Sequence, residues 1–106
     1  MARLADEDIS SLLTTRPGWR HLGDAIHKEF TFRGFRGAIA FVNRVAEQAN
    51  AAGHHPDLEI HFNRVGVSLS THDEGGVTDR DLELAEAIDA VSEPEEPPEP
   101  PGSGNG

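Results

Sequence analysis

Two alternating segments within residues 58–70 constrain the fold of this chain more than any other feature. Leu58, Ile60 and Phe62 alternate with polar residues, and a second alternating run covers residues 65–69. A period of two is typical of half-buried strands, and so short a connection joins antiparallel neighbours. The segment is therefore predicted to form a β-hairpin with one face against a core.

A second hairpin is predicted from residues 19–22 and 25–32, which flank a Gly23-Asp24 turn. Its second strand alternates clearly except at Lys28, where a charged residue interrupts the apolar row. The register of this hairpin therefore stays open.

Three other segments show helical periodicity. The first is short, with Asp6 as its predicted N-cap, and ends before Pro17-Gly18. The second covers about residues 35–52 and ends at Gly53, because glycine adopts left-handed angles at little cost. Thr78 is predicted to cap the third. The order α-β-β-α-β-β-α predicts an α+β fold, a four-stranded antiparallel sheet with the three helices on one face.

The composition changes at the end of the third helix. Residues 92–106 contain five of the seven prolines and no large apolar side chain. Such a segment cannot bury enough apolar surface to offset the entropy lost on ordering. We therefore expect one domain, residues 1–91, followed by a disordered acidic tail.

The predicted domain is acidic. Four of the nineteen Asp and Glu residues lie in the tail, so residues 1–91 carry fifteen acids against nine Lys and Arg. The basic residues are scattered, so the domain lacks the positive surface that nucleic-acid phosphates attract. We expect no nucleic-acid partner.

Several other classes are excluded or disfavoured by composition. The chain has no cysteine, which excludes disulfides, thiol catalysis and cysteine-based zinc sites. Its apolar runs are too short to span a membrane, and the N-terminus lacks the apolar core of a signal peptide. A cytoplasmic protein without membrane association is expected.

Three of the six histidines are concentrated in two short motifs, Gly53-His54-His55-Pro56-Asp57 and Thr71-His72-Asp73. The first motif follows the second predicted helix, and the second motif follows the predicted strand that covers residues 65–69. Histidine changes its charge near neutral pH and is also a common metal ligand. Three such side chains near one place indicate either proton transfer or a metal site.

The predicted hairpin register brings two of these histidines together. If Asn63-Arg64 forms the turn, every apolar residue of one strand faces an apolar residue of the other. The same register places His55 opposite His72, on the face away from the helices, with Cβ atoms about 4.5–5.5 Å apart. His54 lies in the helix-to-strand connection, where its side chain is free to turn toward the same site.

Three alternative chemistries find less support in the sequence. Zinc binding by the three histidines would require adjacent residues as joint ligands, without any further HxH or HExxH pattern. A Ser-His-Asp hydrolase needs its nucleophile on a strained turn, whereas Ser68 and Ser70 are predicted within a strand. Gly75-Gly76 lacks the lysine of a phosphate-binding loop and instead predicts a tight turn.

Four short motifs follow one another with a defined spacing: His54-His55-Pro56, Thr71-His72, Gly76-Val77-Thr78 and Asp81. Together with the strand pair between the first two, they resemble the pterin-4a-carbinolamine dehydratases. The resemblance extends over residues 6–91, is strongest over residues 46–89, and excludes the tail.

The resemblance implies an activity. Members of this family dehydrate 4a-hydroxytetrahydropterin to quinonoid dihydropterin, the recycling step that follows aromatic amino acid hydroxylation. It implies metal-free acid–base catalysis without a cofactor, with His54, His55 and His72 in the catalytic site. The implied substrate-binding residues are Pro56, Asp57, Thr71, Arg80 and Asp81. Because the predicted register opposes His55 and His72, these two are favoured as the proton-transfer pair.

The resemblance also implies partners and leaves one alternative function open. Family members are commonly homodimers or homotetramers and are functionally linked to aromatic amino acid hydroxylases. Some relatives are instead binding proteins, namely a dimerisation cofactor of a transcription factor and Rubisco assembly factors. Retention of all three histidines favours the enzyme over such a non-catalytic role.

Two positions depart from the family pattern. Many relatives carry Glu where this chain has Asn50, and an aromatic hydroxyl where it has Phe62. Both departures bear on the orientation of the substrate.

Overall fold

A computed structural model describes residues 2–92 of the protein. The predicted element order and fold class are confirmed, with a short 3₁₀ turn, His72–Glu74, as an addition. The helices are α1 (Asp6–Leu13), α2 (Phe35–Ala52) and α3 (Asp79–Ser92). The strands are β1 (Arg20–Leu22), β2 (Ala25–Thr31), β3 (Asp57–His61) and β4 (Arg64–Leu69).

The four strands form one antiparallel sheet in the order β1-β2-β4-β3. Strands β2 and β4 are therefore central, and the first strand of each hairpin lies at an edge. Val65, Val67 and Leu69 of β4 are buried on the helix-facing side, whereas Gly66 and Ser68 face the open side. The alternation predicted from sequence thus describes the central strand well.

The predicted register of the second hairpin is wrong by two residues, because the turn lies one residue earlier than predicted. The turn is Phe62-Asn63, and β3 pairs Leu58 with Val67 and Ile60 with Val65. Phe62 has φ of 55°, in the left-handed region that a two-residue hairpin turn requires. Apolar residues still face apolar residues in this register, so hydrophobic matching alone did not distinguish the two.

This register also removes the predicted strand pairing of His55 with His72. Strand β4 ends at Leu69, and Thr71 forms an isolated bridge to Gly76 that closes a small loop. His72 begins the 3₁₀ turn inside that loop. The predicted tight turn at Gly75 is present, with φ of 74°.

The core lies between the sheet and the helices. Phe41 of α2 is fully buried. The centroid of its ring lies 4.8 Å from that of Phe30 and 4.9 Å from that of Phe32. Lys28 points to this same side of the sheet, where its ammonium group binds Asp89 of α3 at 2.8 Å. The interruption at Lys28 is therefore an ion pair between sheet and helix and not a break in the strand.

The helix ends differ slightly from expectation. Asp6 is the first residue of α1, and Ala5 occupies the N-cap position without a side-chain cap. Gly53 ends α2 with φ of 64°, as predicted. Helix α3 includes Ser92, and the remainder of the predicted tail lies outside the described residues.

Candidate active site

The three clustered histidines line one shallow depression of about 270 Å³. It lies where the end of α2, the loop after β4 and the start of α3 meet. Its lining residues are Gly53, His54, His55, Ser70, Thr71, His72, Asp73 and Arg80. The histidines therefore converge, as the sequence indicated, but through loops and not through strand pairing.

Helix termination delivers the first two histidines to this site. The left-handed angles of Gly53 turn the chain, and the His54 backbone N–H still donates to the Ala49 carbonyl at 3.1 Å. Pro56 disfavours helical angles at His55, so the chain leaves α2 in an extended conformation. Adjacent histidines thereby occupy very different surroundings.

His54 is buried, with 8% of its surface exposed, and its ring Nε2 lies 2.5 Å from Oδ1 of Asp81. Asp81 on α3 is fully buried. A carboxylate oxygen accepts hydrogen bonds, so Nε2 of His54 carries the proton and donates. In the neutral ring Nδ1 then holds the lone pair.

The second carboxylate oxygen of Asp81 is held by two further donors. The Thr71 hydroxyl donates to Oδ2 at 2.8 Å, and the Thr78 backbone N–H donates to it at 2.9 Å. Both oxygens of the Asp81 carboxylate therefore accept hydrogen bonds from protein groups. Asp81 influences the depression through the one of these partners that lines it with a ring, His54. The resemblance implied that Thr71 binds substrate, but the hydroxyl of Thr71 already donates its hydrogen bond to Asp81.

His55 is exposed at the edge of the depression. Its Nε2 donates to the side-chain oxygen of Asn50, one turn back on α2, at 3.2 Å. Asn50 was singled out only as a departure from the family pattern, and its contact with His55 was not predicted. A position four residues before a helix-ending histidine pair is within reach of the second histidine, which is the signal the sequence contained.

His72 and Arg80 complete the rim. His72 is exposed in the 3₁₀ turn, and Arg80 donates to the Gly53 carbonyl at 2.8 Å. That contact ties the first turn of α3 to the end of α2. It also places a cation beside the histidines.

The two remaining predicted substrate-binding residues lie elsewhere. Pro56 is half-buried just after the histidine pair, outside the residues that line the depression. Asp57 pairs with Ser68 across the sheet and lines a larger trough of about 620 Å³ on the open face. His27 of β2 and Ser68 of β4 also line that trough, with 2.7 Å between His27 Nδ1 and the Ser68 hydroxyl oxygen. The smaller depression is the better candidate, because three histidines converge there whereas the trough is lined by one, and histidine is the side chain that changes its charge near neutral pH.

Within residues 2–92 no group of three or more His, Cys, Asp or Glu side chains is arranged to hold a metal ion. None of the helices in this range combines the length and apolar character that crossing a membrane requires. The residues that line the depression carry imidazole, carboxylate, hydroxyl and guanidinium groups.

Comparison with known proteins places this architecture in one family. The sequence profile described as pterin 4 alpha carbinolamine dehydratase matches residues 2–91. A protein of Thermosynechococcus vestitus is 52% identical over 86 residues, covering 81% of this chain and 90% of the relative. One of Thermomicrobium roseum is 53% identical over 88 residues, covering 83% and 95%. Both are provisionally named pterin-4-alpha-carbinolamine dehydratases.

Solved structures agree with this assignment. A transcriptional coactivator/pterin dehydratase from Brucella melitensis superposes with a TM-score of 0.82 at 33% identity, covering 86% of this chain and 99% of that one. A pterin dehydratase-like protein identified as a RuBisCO assembly factor in the alpha-carboxysome shares the fold alone. Its TM-score is 0.59 at 19% identity, with 70% and 86% of the two chains covered. The chain belongs to the pterin-4a-carbinolamine dehydratase family.

Proposed function

We propose that this protein dehydrates a 4a-hydroxytetrahydropterin at the histidine depression. The C4a hydroxyl receives a proton and leaves as water, N5 loses its proton, and a C4a=N5 double bond forms. The products are quinonoid dihydropterin and water, so atoms and charge balance without an oxidant or reductant. Family membership supports the substrate class, and the side chains present suit proton transfer.

The observation that carries this proposal is the convergence of His54, His55 and His72 on one depression. One group must donate a proton to the leaving oxygen while another accepts the proton from N5. A well-placed general acid or base typically contributes about 10²–10⁴-fold to a rate. Two such groups on opposite sides of a bound pterin would account for the catalysis without a covalent intermediate.

We assign proton transfer to His55 and His72 and contact with the pterin or its hydroxyl to His54. The support is their exposure, since His55 and His72 lie on the rim whereas His54 is buried against Asp81. This replaces the strand register that first suggested the pair. Asn50 orients the His55 ring from the α2 side. Arg80 and Thr71 belong to the pterin-binding wall of the depression.

The proposal is tested by generating 4a-hydroxytetrahydropterin enzymatically and measuring its rate of decay with and without the protein. His55→Ala and His72→Ala should each lower the catalysed rate by at least about tenfold while the fold is retained. His61→Ala is the matched control, because that side chain is 62% exposed and lies on β3, outside the depression. Unchanged turnover in either folded site variant would contradict the assignment.

The alternative is a binding or assembly protein on the same fold. One structural relative at 33% identity is described as a transcriptional coactivator as well as a pterin dehydratase. A wild-type protein that leaves the decay rate unchanged would favour this alternative. The enzyme, in contrast, must be supplied by a reaction that forms 4a-hydroxypterins, such as aromatic amino acid hydroxylation.

We further propose a homo-oligomer, dimer or tetramer, that uses the free edge of β3. This strand lies at the edge of the sheet, and Ile60 on its helix-facing side is 40% exposed. Unpaired edges with apolar side chains favour pairing with another strand. Light scattering should give a multiple of the chain mass, and Ile60→Lys should reduce it. A wild-type monomer at assay concentration would refute the oligomer.

A further inference from the structure

Thr78, for which the sequence predicted no role beyond capping α3, is linked to the buried histidine by a chain of hydrogen bonds. The Thr71 hydroxyl donates to Oδ2 of Asp81 at 2.8 Å. Because the Thr71 hydroxyl has only one proton, its 2.8 Å contact with the Thr78 hydroxyl requires Thr78 to donate. Two threonine hydroxyls therefore form a directed relay that ends on the carboxylate.

The same carboxylate also belongs to the cap of α3. Asp81 stands three residues after Thr78 and accepts its backbone N–H at 2.9 Å, while the Thr78 hydroxyl accepts the Arg80 N–H at 3.2 Å. This is the reciprocal arrangement of a capping box, with Asp in place of the usual Glu or Gln. One oxygen of Asp81 thus closes the helix end, and the other reaches His54.

We propose that Thr78 is a positioning residue of the site, which acts with Thr71 to fix the Asp81 carboxylate and thereby the ring of His54. Two donors on Oδ2 fix the plane of the carboxylate, so Oδ1 points to His54 Nε2. That contact selects the tautomer with its proton on Nε2 and its lone pair on Nδ1. Thr78 itself is fully buried and acts through the other residues.

This role rests on the proposed dehydratase function, but its structural part can be measured separately. Thr78→Val keeps the shape of the side chain and removes the hydroxyl. Without that donor the Thr71 hydroxyl loses its fixed orientation, and the Arg80 N–H loses its acceptor. Once the Thr71 hydroxyl can turn away from Asp81, Oδ2 keeps only the backbone N–H of residue 78 as a donor, so the carboxylate can rotate and the His54 ring should sample both tautomers.

The experiment compares Thr78→Val with Thr78→Ser, which restores the hydroxyl, and with Thr31→Val, an exposed threonine on β2. Two measurements are made on each protein: kcat and KM in the pterin assay, and ¹H–¹⁵N correlation of the His54 ring. Because a displaced His54 ring contacts the pterin or its hydroxyl less well, Thr78→Val should lower kcat/KM by about tenfold, and it should mix the two tautomers of His54. Thr78→Ser and Thr31→Val should resemble the wild type.

The proposal is overturned if Thr78→Val folds with wild-type kcat/KM and a pure Nε2–H tautomer, or if Thr78→Ser behaves like Thr78→Val. Should Thr78→Val fail to fold, Thr71→Val removes the direct donor to Asp81 without altering the helix cap, and His54 should again show both tautomers. An unchanged ring in that variant, or failure of both valine variants to fold, would assign the threonines a purely structural role. A wild type without dehydratase activity would refute the proposed function, while the His54 ring signals would still decide the positioning role.

Discussion

Asp89 offers a quantitative test of how the sheet and α3 are joined. Its Oδ2 accepts the indole N–H of Trp19 at 3.0 Å, and its Oδ1 accepts the Lys28 ammonium at 2.8 Å. Trp19 is only 4% exposed, whereas the Lys28 and Asp89 side chains are 20% and 28% exposed. The two hydrogen bonds therefore differ in how easily water could replace them.

The Asp89→Ala variant should lose about 1.5–4 kcal/mol of unfolding free energy. Leaving the indole N–H without an acceptor in a buried position costs roughly 1–3 kcal/mol. The Lys28 contribution is smaller, about 0.5–1 kcal/mol, because its ammonium group can regain water when the carboxylate is removed. The sum is a substantial part of the stability of a small domain, typically about 5–15 kcal/mol.

Glu86→Ala is the matched control. Glu86 lies one turn earlier on α3 and pairs with Arg16 at 3.2 Å, but its side chain is 68% exposed. Such a surface pair contributes roughly 0–1 kcal/mol. Both variants remove one negative charge and introduce alanine into the same helix, so their difference isolates the contacts of Asp89.

Urea unfolding followed by circular dichroism measures both variants, and the single tryptophan, Trp19, provides a fluorescence signal in the same experiment. The unfolding midpoint of Asp89→Ala should fall clearly below that of Glu86→Ala. Equal midpoints for the two variants would refute the argument that Asp89 joins helix and sheet.

Three further changes test the backbone and the core, each by urea unfolding. Gly53→Ala should lower the free energy of unfolding by about 1 kcal/mol, because residue 53 has a φ of 64° that is unfavourable for alanine. A Cβ at this position meets nothing within 4 Å, so the backbone angle is the only cost. Gly66→Ala is its control in ordinary strand geometry, and an equal loss in both would argue against this cause. Phe62→Asn should stabilise the hairpin by about 0.5–1 kcal/mol, because asparagine tolerates a φ of 55° better and the ring is 60% exposed; a lower midpoint would count against it. Phe41→Ala should lose about 3–5 kcal/mol, as expected for a fully buried ring, and a loss below about 1 kcal/mol would mean that the site is not tightly packed.

Much of the fold could be predicted because local patterns and tertiary burial agree. The helical stripe over residues 35–52 and its glycine stop correspond to α2 residue for residue. Alternation in β4 identified its buried face correctly. These features depend on which side chains face the core, and a period of 2.0 or 3.6 carries that information.

The register of the second hairpin could not be predicted in the same way. Both turn positions pair apolar residues with apolar residues, so burial alone leaves two solutions. The observed turn places Phe62 at a positive φ, which no propensity rule favours. Contacts beyond the hairpin support it, because Asn63 exchanges hydrogen bonds with the backbone of Phe32.

The site shows the same division. Sequence alone predicted His54, His55 and His72 as site residues, because the spacing of chemically distinctive side chains along the chain is visible there, and the three do line one depression. Only the tertiary structure decided that His54 is buried against Asp81 while His55 is exposed beside Asn50. Adjacent residues of a loop can point into opposite surroundings, and the packing of α3 against α2 determines which ring is enclosed. Local order thus followed from side-chain pattern, whereas the partners of each histidine followed from contacts between segments far apart in the chain.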